Sequence, residues 1–280
     1  MSPLNVPSPD KSPLEGVWCG DKQKTIGNTF SLSGIGIHSG ESCIAAFRPA
    51  EAGSGIYFIY QNKKIPALVN NVTRTDRGTS LSGIHVVEHV LSAAFGLGID
   101  NLEIELSSPE PPVLDGSALL YVSALKNSGI IEQNREKAFL QIKDQIEIKD
   151  GSSSIKIAPF NGFKVHFMID FPYIGKQTFV FFDNFEAEIA PARTFGLIEE
   201  LETLKSRGLA KGASLENALA VGKGGFINTP RFKDEPVRHK ILDLIGDLSL
   251  IGHPIKGEIF AVKSGHKLNI ELARRLFELC

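Results

Sequence analysis

Strand-like segments in this chain come in runs, and each run closes with a helix, a Gly-containing turn and one more strand. The order occurs twice. In the first half, residues 25–32, 42–49, 55–61 and 65–69 have strand character. They lead into an apolar-periodic helix over 86–96 and then the alternating segment 101–106. In the second half, residues 139–149, 153–158, 162–171 and 178–182 precede a long helix over 236–251 and a strand over 257–263. Strands grouped ahead of helices argue against a regularly alternating parallel sheet and predict an α+β layered fold. Glu88-His89 in the first half holds the same relative place as Arg238-His239 in the second. The expectation is therefore two related α+β domains, 23–134 and 135–280, linked through the polar stretch 127–137. Further helices are expected over 118–128, 197–208, 214–221 and 269–279.

Residues 1–22 are rich in Pro and Ser and lack the apolar core of a secretory signal, so they read as a flexible tail and the chain as cytoplasmic. Lys plus Arg is 30 against 32 Asp plus Glu, a net charge of −2, which argues against a nucleic-acid partner. No uninterrupted apolar run approaches the roughly 18 residues of a membrane helix. Three widely spaced cysteines form neither a disulfide framework nor a zinc knuckle.

The helix over 236–251 carries Val237, Ile241, Leu244, Ile245 and Leu248 on one side. His239 and Asp243 fall opposite, one turn apart, with Asp247 a further turn along and Gly246 on the same face. An imidazole and a carboxylate at this spacing can point at a common ion. A mid-helix Gly costs about 1 kcal/mol against Ala, so its placement predicts a close approach on the polar side. The helix over 86–96 presents His89 away from its apolar stripe, with Glu88 beside it. Glu88 could equally cap the helix dipole. Two His and one carboxylate with an open position is a catalytic zinc arrangement, and His89, His239 and Asp243 supply it with Glu88 as a spare base. The same set suits ferrous iron. A solvated polar face gives the same spacing, and His266, in the Gly-containing segment after the last strand, reads equally as a loop His bonded to backbone.

The motifs taken together settle more. Ser33-Gly-Ile-Gly-Ile-His-Ser-Gly40, Val87-Glu-His-Val-Leu-Ser-Ala93, Leu114-Asp-Gly-Ser117, Ala192-Arg-Thr-Phe-Gly196, Phe232 to Asp247 and Lys263-Ser-Gly-His-Lys-Leu-Asn269 occur in this order. In order and spacing the chain resembles the UDP-3-O-acyl-N-acetylglucosamine deacetylases, zinc amidases of lipid A biosynthesis, over nearly everything after the tail. The resemblance implies two related two-layer sandwich domains, each with a small insert, and an active site between them. It implies zinc, one per chain, on His89, His239 and Asp243, with Glu88 as general base. His266 would be the cationic partner that protonates the leaving amine, and Asp247 would orient it. Thr194 would donate to the oxyanion, and Lys240 and Phe195 would contact the nucleotide-sugar. Asp115 would either support the site residues from behind or pack the domains together, and an insert within 175–228 would form an apolar passage for the acyl chain. The implied enzyme is a monomer that removes the N-acetyl group from a UDP-linked acylated sugar, releasing acetate, with transient membrane-surface contact. Family members often carry a Cys near 75–81; Gly78 and Thr79 stand there in this chain.

Overall fold

A computed structural model describes residues 22–280, so the tail expected over 1–22 lies outside the described residues except for Lys22. The first half consists of β1 (Lys22–Ile26), β2 (Phe30–Ile35), β3 (Ser42–Pro49), β4 (Ile56–Tyr60), β5 (Lys63–Pro66), β6 (Val72–Arg74), β7 (Ser80–Leu81), α1 (Glu88–Gly96), β8 (Leu102–Leu106), α2 (Leu119–Asn127) and β9 (Ile130–Glu136). The second half begins with β10 (Leu140–Gln141), β11 (Ile146–Asp150), β12 (Ser153–Ala158), β13 (Phe163–Phe171) and β14 (Gly175–Phe181). An insert follows, made of α3 (Phe185–Glu188), β15 (Phe195–Leu197), α4 (Ile198–Ser206), β16 (Leu219–Gly222) and β17 (Gly225–Phe226). The chain ends with α5 (Glu235–Ser249), β18 (Ile255–Val262) and α6 (His266–Phe277).

The internal repeat is present along a five-strand path in each main sheet, the second having the short β10 added beside β18. One sheet runs β2-β3-β8-β4-β5 and the other β11-β12-β18-β13-β14. In each, the strand of that sheet that comes last in the chain, β8 or β18, lies in the middle, antiparallel to one neighbour and parallel to the other. The protein is α+β, as the grouping of strands predicts. Burial alternates along β8, β13 and β18, so each sheet turns one face to the core. Helices α5 and α6 pack together over the second sheet, and α1 packs against α5 and α2.

The α1–α5 contact positions everything that follows. All nine residues of α1 are buried, which its small and apolar sequence Val90-Leu-Ser-Ala-Ala-Phe95 permits. At Gly246 of α5, an added Cβ would lie 2.1 Å from the Glu88 carbonyl oxygen. The close approach predicted from this mid-helix Gly is thus the backbone of the other half's helix. Contact at that point sets Glu88 and His89 across from His239 and Asp243.

Three local expectations differ. Residues 25–32 are two strands, because the chain turns at Gly27 and Asn28, whose N–H groups donate to Gly129 and Ser128 at 2.8 and 3.0 Å. This sends β1 away from the main sheet to pair antiparallel with β9. The polar stretch over 127–137 is largely that strand, β9, with nearly every side chain in solvent, so its polarity reflects exposure. Residues 214–221 are not a helix. The Asn217 side chain accepts from Ser214 N at 2.8 Å and donates to Gly212 O at 2.9 Å, folding the segment into a turn. Leu219–Gly222 then pairs parallel with β15 and antiparallel with β17. Among the described residues, no helix is long and apolar enough to cross a membrane.

Candidate metal centre and catalytic cleft

One cavity of about 810 Å³ lies where α1, α5, the start of α6 and the insert meet. Glu88, His89, Thr194, Phe195, His239, Lys240, Asp243 and His266 all line it. Asp247 stands behind His266, fully buried. The structure therefore brings together every site residue expected from the sequence.

His89, His239 and Asp243 are buried and form one of two groups, among the described residues, able to hold a metal ion. Asp243 Oδ1 is 3.2 Å from His239 Nε2 and 3.9 Å from His89 Nε2, and the two rings meet edge to face at 5.0 Å. His239 Nδ1 lies 3.1 Å from the Ala192 carbonyl. A carbonyl only accepts, so Nδ1 carries a proton and it is Nε2 that faces the cluster. Burial, reinforced by the neighbouring His239, pushes His89 down to about 3, so its ring is neutral at pH 7. Burial opposes the charge on Asp243, but His239, Lys240 and His266 outweigh it and hold the carboxyl well below its usual range. Two imidazoles and one carboxylate are a donor set that fits zinc. Lys240 Nζ donates to Asp243 Oδ2 at 2.5 Å, so here it meets the cluster directly.

The second group comprises Glu88, Asp243 and His266. Glu88 Oε2 accepts from the backbone N–H of Thr79 at 3.0 Å, while Oε1 lies 3.8 Å from His266 Nε2. Burial pushes the Glu88 carboxyl up to about 7, despite the opposing pull of His266. Burial also works against charge on His266, but the carboxylates of Asp247, Glu88 and Asp243 prevail and raise it to about 9. His266 is the first residue of α6, not a loop residue, since the helix starts three residues earlier than periodicity predicts. Its Nδ1 bonds Asp247 Oδ2 at 2.9 Å. Asn269, one turn along α6, donates to the same oxygen at 2.9 Å, and Ser264 donates to Asn269 Oδ1 at 2.7 Å.

Thr194 is clamped through its backbone. Its N–H donates to Gly116 O at 2.7 Å and its carbonyl accepts from Leu219 N at 2.8 Å, which leaves the side chain beside the cavity. Gly116, at φ +82, lies so close to the Asn217 carbonyl that a Cβ would be 1.8 Å from it. Asp115 pairs with Arg231 at 2.8 Å. Phe195 sits edge-on to His239 at 6.2 Å. Three contributors escape sequence reasoning: Thr79, Asn269 and Glu235. Glu235, fully buried, accepts from the backbone and guanidinium of Arg193 at 2.9 Å and fixes the segment before Thr194. The signal for Asn269 was its place one turn after His266; Thr79 carries none.

A carboxylate and a protonated imidazole facing each other beside a three-donor metal cluster define a hydrolase cleft. Residues 23–278 match the family described as UDP-3-O-acyl N-acetylglycosamine deacetylase. The chain is 44% identical over 265 residues to the UDP-3-O-acyl-N-acetylglucosamine deacetylase of Saccharophagus degradans, covering 89% of this chain and 88% of that one. It is 42% identical over 274 residues to the enzyme of the same name from Teredinibacter turnerae, covering 92% and 90%. Similarity to the bifunctional enzyme LpxC/FabZ of Chlorobaculum tepidum is 38% over 297 residues; the match covers 91% of this chain and 64% of that longer protein. The chain belongs to the UDP-3-O-acyl-N-acetylglucosamine deacetylase family.

Proposed function

We propose that this protein is a cytoplasmic, zinc-dependent hydrolase that removes the N-acetyl group from UDP-3-O-acyl-N-acetylglucosamine and releases acetate, as a step of lipid A biosynthesis. His89 and the pair His239 and Asp243 would hold the ion, one set from each half, with the halves divided near residue 134. Zinc has the higher claim than ferrous iron for hydrolysis, because it supplies Lewis acidity without redox chemistry. When bound, the ion would polarise the acetamide carbonyl and make water acidic enough to ionise near neutral pH.

The protein's own groups do the rest. Glu88 Oε1 accepts the proton of the attacking water, and the Thr79 N–H on Oε2 keeps that carboxylate aimed. His266 Nε2 donates its proton to the leaving amine, with Asp247 holding Nδ1. The Thr194 side chain would donate to the oxygen that gains charge, beside His266. Lys240 and Phe195 would contact the nucleotide-sugar, and the apolar wall of the insert, including Leu201, Leu204, Leu215, Leu219 and Ile227, suits an acyl chain. One chain supplies every group, so the reading is of a monomer.

The observation that carries this reading is the 3.8 Å opposition of Glu88 and His266 beside the cluster of His89, His239 and Asp243. Its test is metal analysis of the purified protein and of His239→Ala, together with acetate release from UDP-3-O-acyl-N-acetylglucosamine. About one zinc per chain, lost in the variant together with turnover, is expected. Turnover by a metal-free wild type would overturn the proposal.

A further inference from the structure

Asp247 is buried completely, and three groups hold its carboxylate. Oδ2 takes His266 Nδ1 and Asn269 Nδ2, both at 2.9 Å. Oδ1 takes a third donor, the Thr79 hydroxyl, at 2.5 Å. Thr79 comes from the other half of the molecule, immediately before β7, and is itself fully buried. Its backbone N–H bonds Glu88 Oε2, and its hydroxyl oxygen lies 3.3 Å from His266 Nδ1. One residue thus touches the general base, the residue that orients the acid, and the acid itself.

We propose that the Thr79 hydroxyl is the positioning group that fixes the rotation of the Asp247 carboxylate, and through it the aim of His266 Nε2 at the reacting centre. This rests on the functional reading above. The terminal torsion of a carboxylate is broad, and donors on both oxygens narrow it more than donors on one. Asn269 and His266, both from the second half, hold Oδ2, and the Thr79 hydroxyl, from the first half, is the one donor to Oδ1 among the described residues. Because His266 Nδ1 is 2.9 Å from Oδ2 but the hydroxyl oxygen is near as well, a loose carboxylate would let the ring follow it. Since Asp247 and His266 both stand on the second half while Thr79 stands on the first, this bond also sets the acid relative to Glu88 across the cleft.

The test compares Thr79→Val, Thr79→Ala and Thr79→Ser. Both apolar variants keep the backbone N–H on Glu88 and remove only the hydroxyl; Ala serves if the Val protein does not fold. A hydrogen bond to a charged group implies a fall in kcat of about 10- to 100-fold. The KM for the UDP-sugar and the metal content are expected to stay at wild-type values, and Thr79→Ser is expected to restore kcat to within about threefold. In an Asp247→Ala background, Thr79→Val should lower kcat no further, because a positioning group acts only through its partner. Wild-type kcat in the apolar variants would overturn the proposal. So would a Ser variant as slow as Val, or a loss of metal in step with kcat, since either traces the effect to packing. An inactive wild type would instead strike at the deacetylase reading, and the two failures are separable in one assay.

Discussion

Glu88 and His266 sit in the same closed space, yet burial acts on them in opposite ways. Burial raises the carboxyl to about 7, toward its neutral form, whereas His266 is carried up to about 9 because three carboxylates overcome the same penalty. The proposed mechanism needs Glu88 ionised and His266 protonated. Activity must therefore fall on the acid side as Glu88 takes a proton, and on the alkaline side as His266 loses one. Positive charge on the cluster of His89, His239 and Asp243 stabilises the deprotonated form of both, so in the metal-loaded enzyme both limbs lie below those figures. The profile of kcat/KM against pH should be a bell whose two values belong to the coupled pair. His266→Gln should flatten the alkaline limb, and Glu88→Gln should cost about 10²- to 10⁴-fold. An alkaline limb that persists unchanged in His266→Gln would remove that residue from the acid role. Thr194 makes a second case at this scale. Its backbone is pinned on both sides, so Thr194→Val should keep the fold and lose about 10²- to 10³-fold in kcat, the usual cost of one oxyanion donor. A normal kcat in that variant would show that its hydroxyl faces no developing charge.

At the scale of elements, the contact of α1 with α5 is the part of the fold most readable in the sequence. Gly246 marked a close approach on that face, though not what approaches, since a helix former would otherwise stand there. Gly246→Ala should push the Glu88 carbonyl away from α5 and cost about 1–3 kcal/mol, as overpacking does. It should also weaken metal binding, because α1 carries His89 with it. Chemical unfolding and metal titration check both; an Ala variant with unchanged affinity would mean that the helices slide without disturbing the cluster. The i,i+4 pair His239 and Asp243 was legible for the same reason, as helical spacing is local. Residues 214–221 were not, because the bonds of Asn217 to Ser214 and Gly212 that fold it into a turn cannot be seen in a period. Nor was β9, whose polar residues pair with β1 from a hundred residues earlier. Thr79 escaped because its partners Glu88 and Asp247 lie on different helices, and a lone Thr in a loop has no pattern to betray it. Glu235 gives a further test here. It is fully buried against Arg193, so Glu235→Ala should leave a buried charge unpaired and cost about 3–5 kcal/mol. A midpoint shift of under about 1 kcal/mol in urea would mean that Arg193 finds another partner.

At the scale of the whole molecule, the duplicated topology makes the site a property of two halves. Each main sheet has the same strand order, and the helices that precede their last strands, α1 and α5, meet back to back. His89 comes from one and His239 from the other, so the cluster exists only when the halves are docked. The buried core is continuous across that contact, taking in Leu91 and Ala94 from α1 and Ile241 and Leu248 from α5. Exposing one half would therefore strip the other of its cover, and unfolding should be a single transition despite the repeat. A metal ion held by both halves, as proposed, would bind only the native state and add RT ln(1 + [L]/Kd), about 2.7 kcal/mol at a free concentration 100 times Kd. For a chain of this size each kcal/mol moves the midpoint by about 2–4 °C, so chelation should lower it by roughly 5–10 °C while the transition stays single. His89→Ala, which removes the proposed ligand of the first half alone, should unfold at the chelated midpoint whether or not zinc is added. Differential scanning calorimetry with and without chelator decides the matter. Two resolved transitions, with only the second responding to zinc, would mean that the halves fold separately and that the ion belongs to α5.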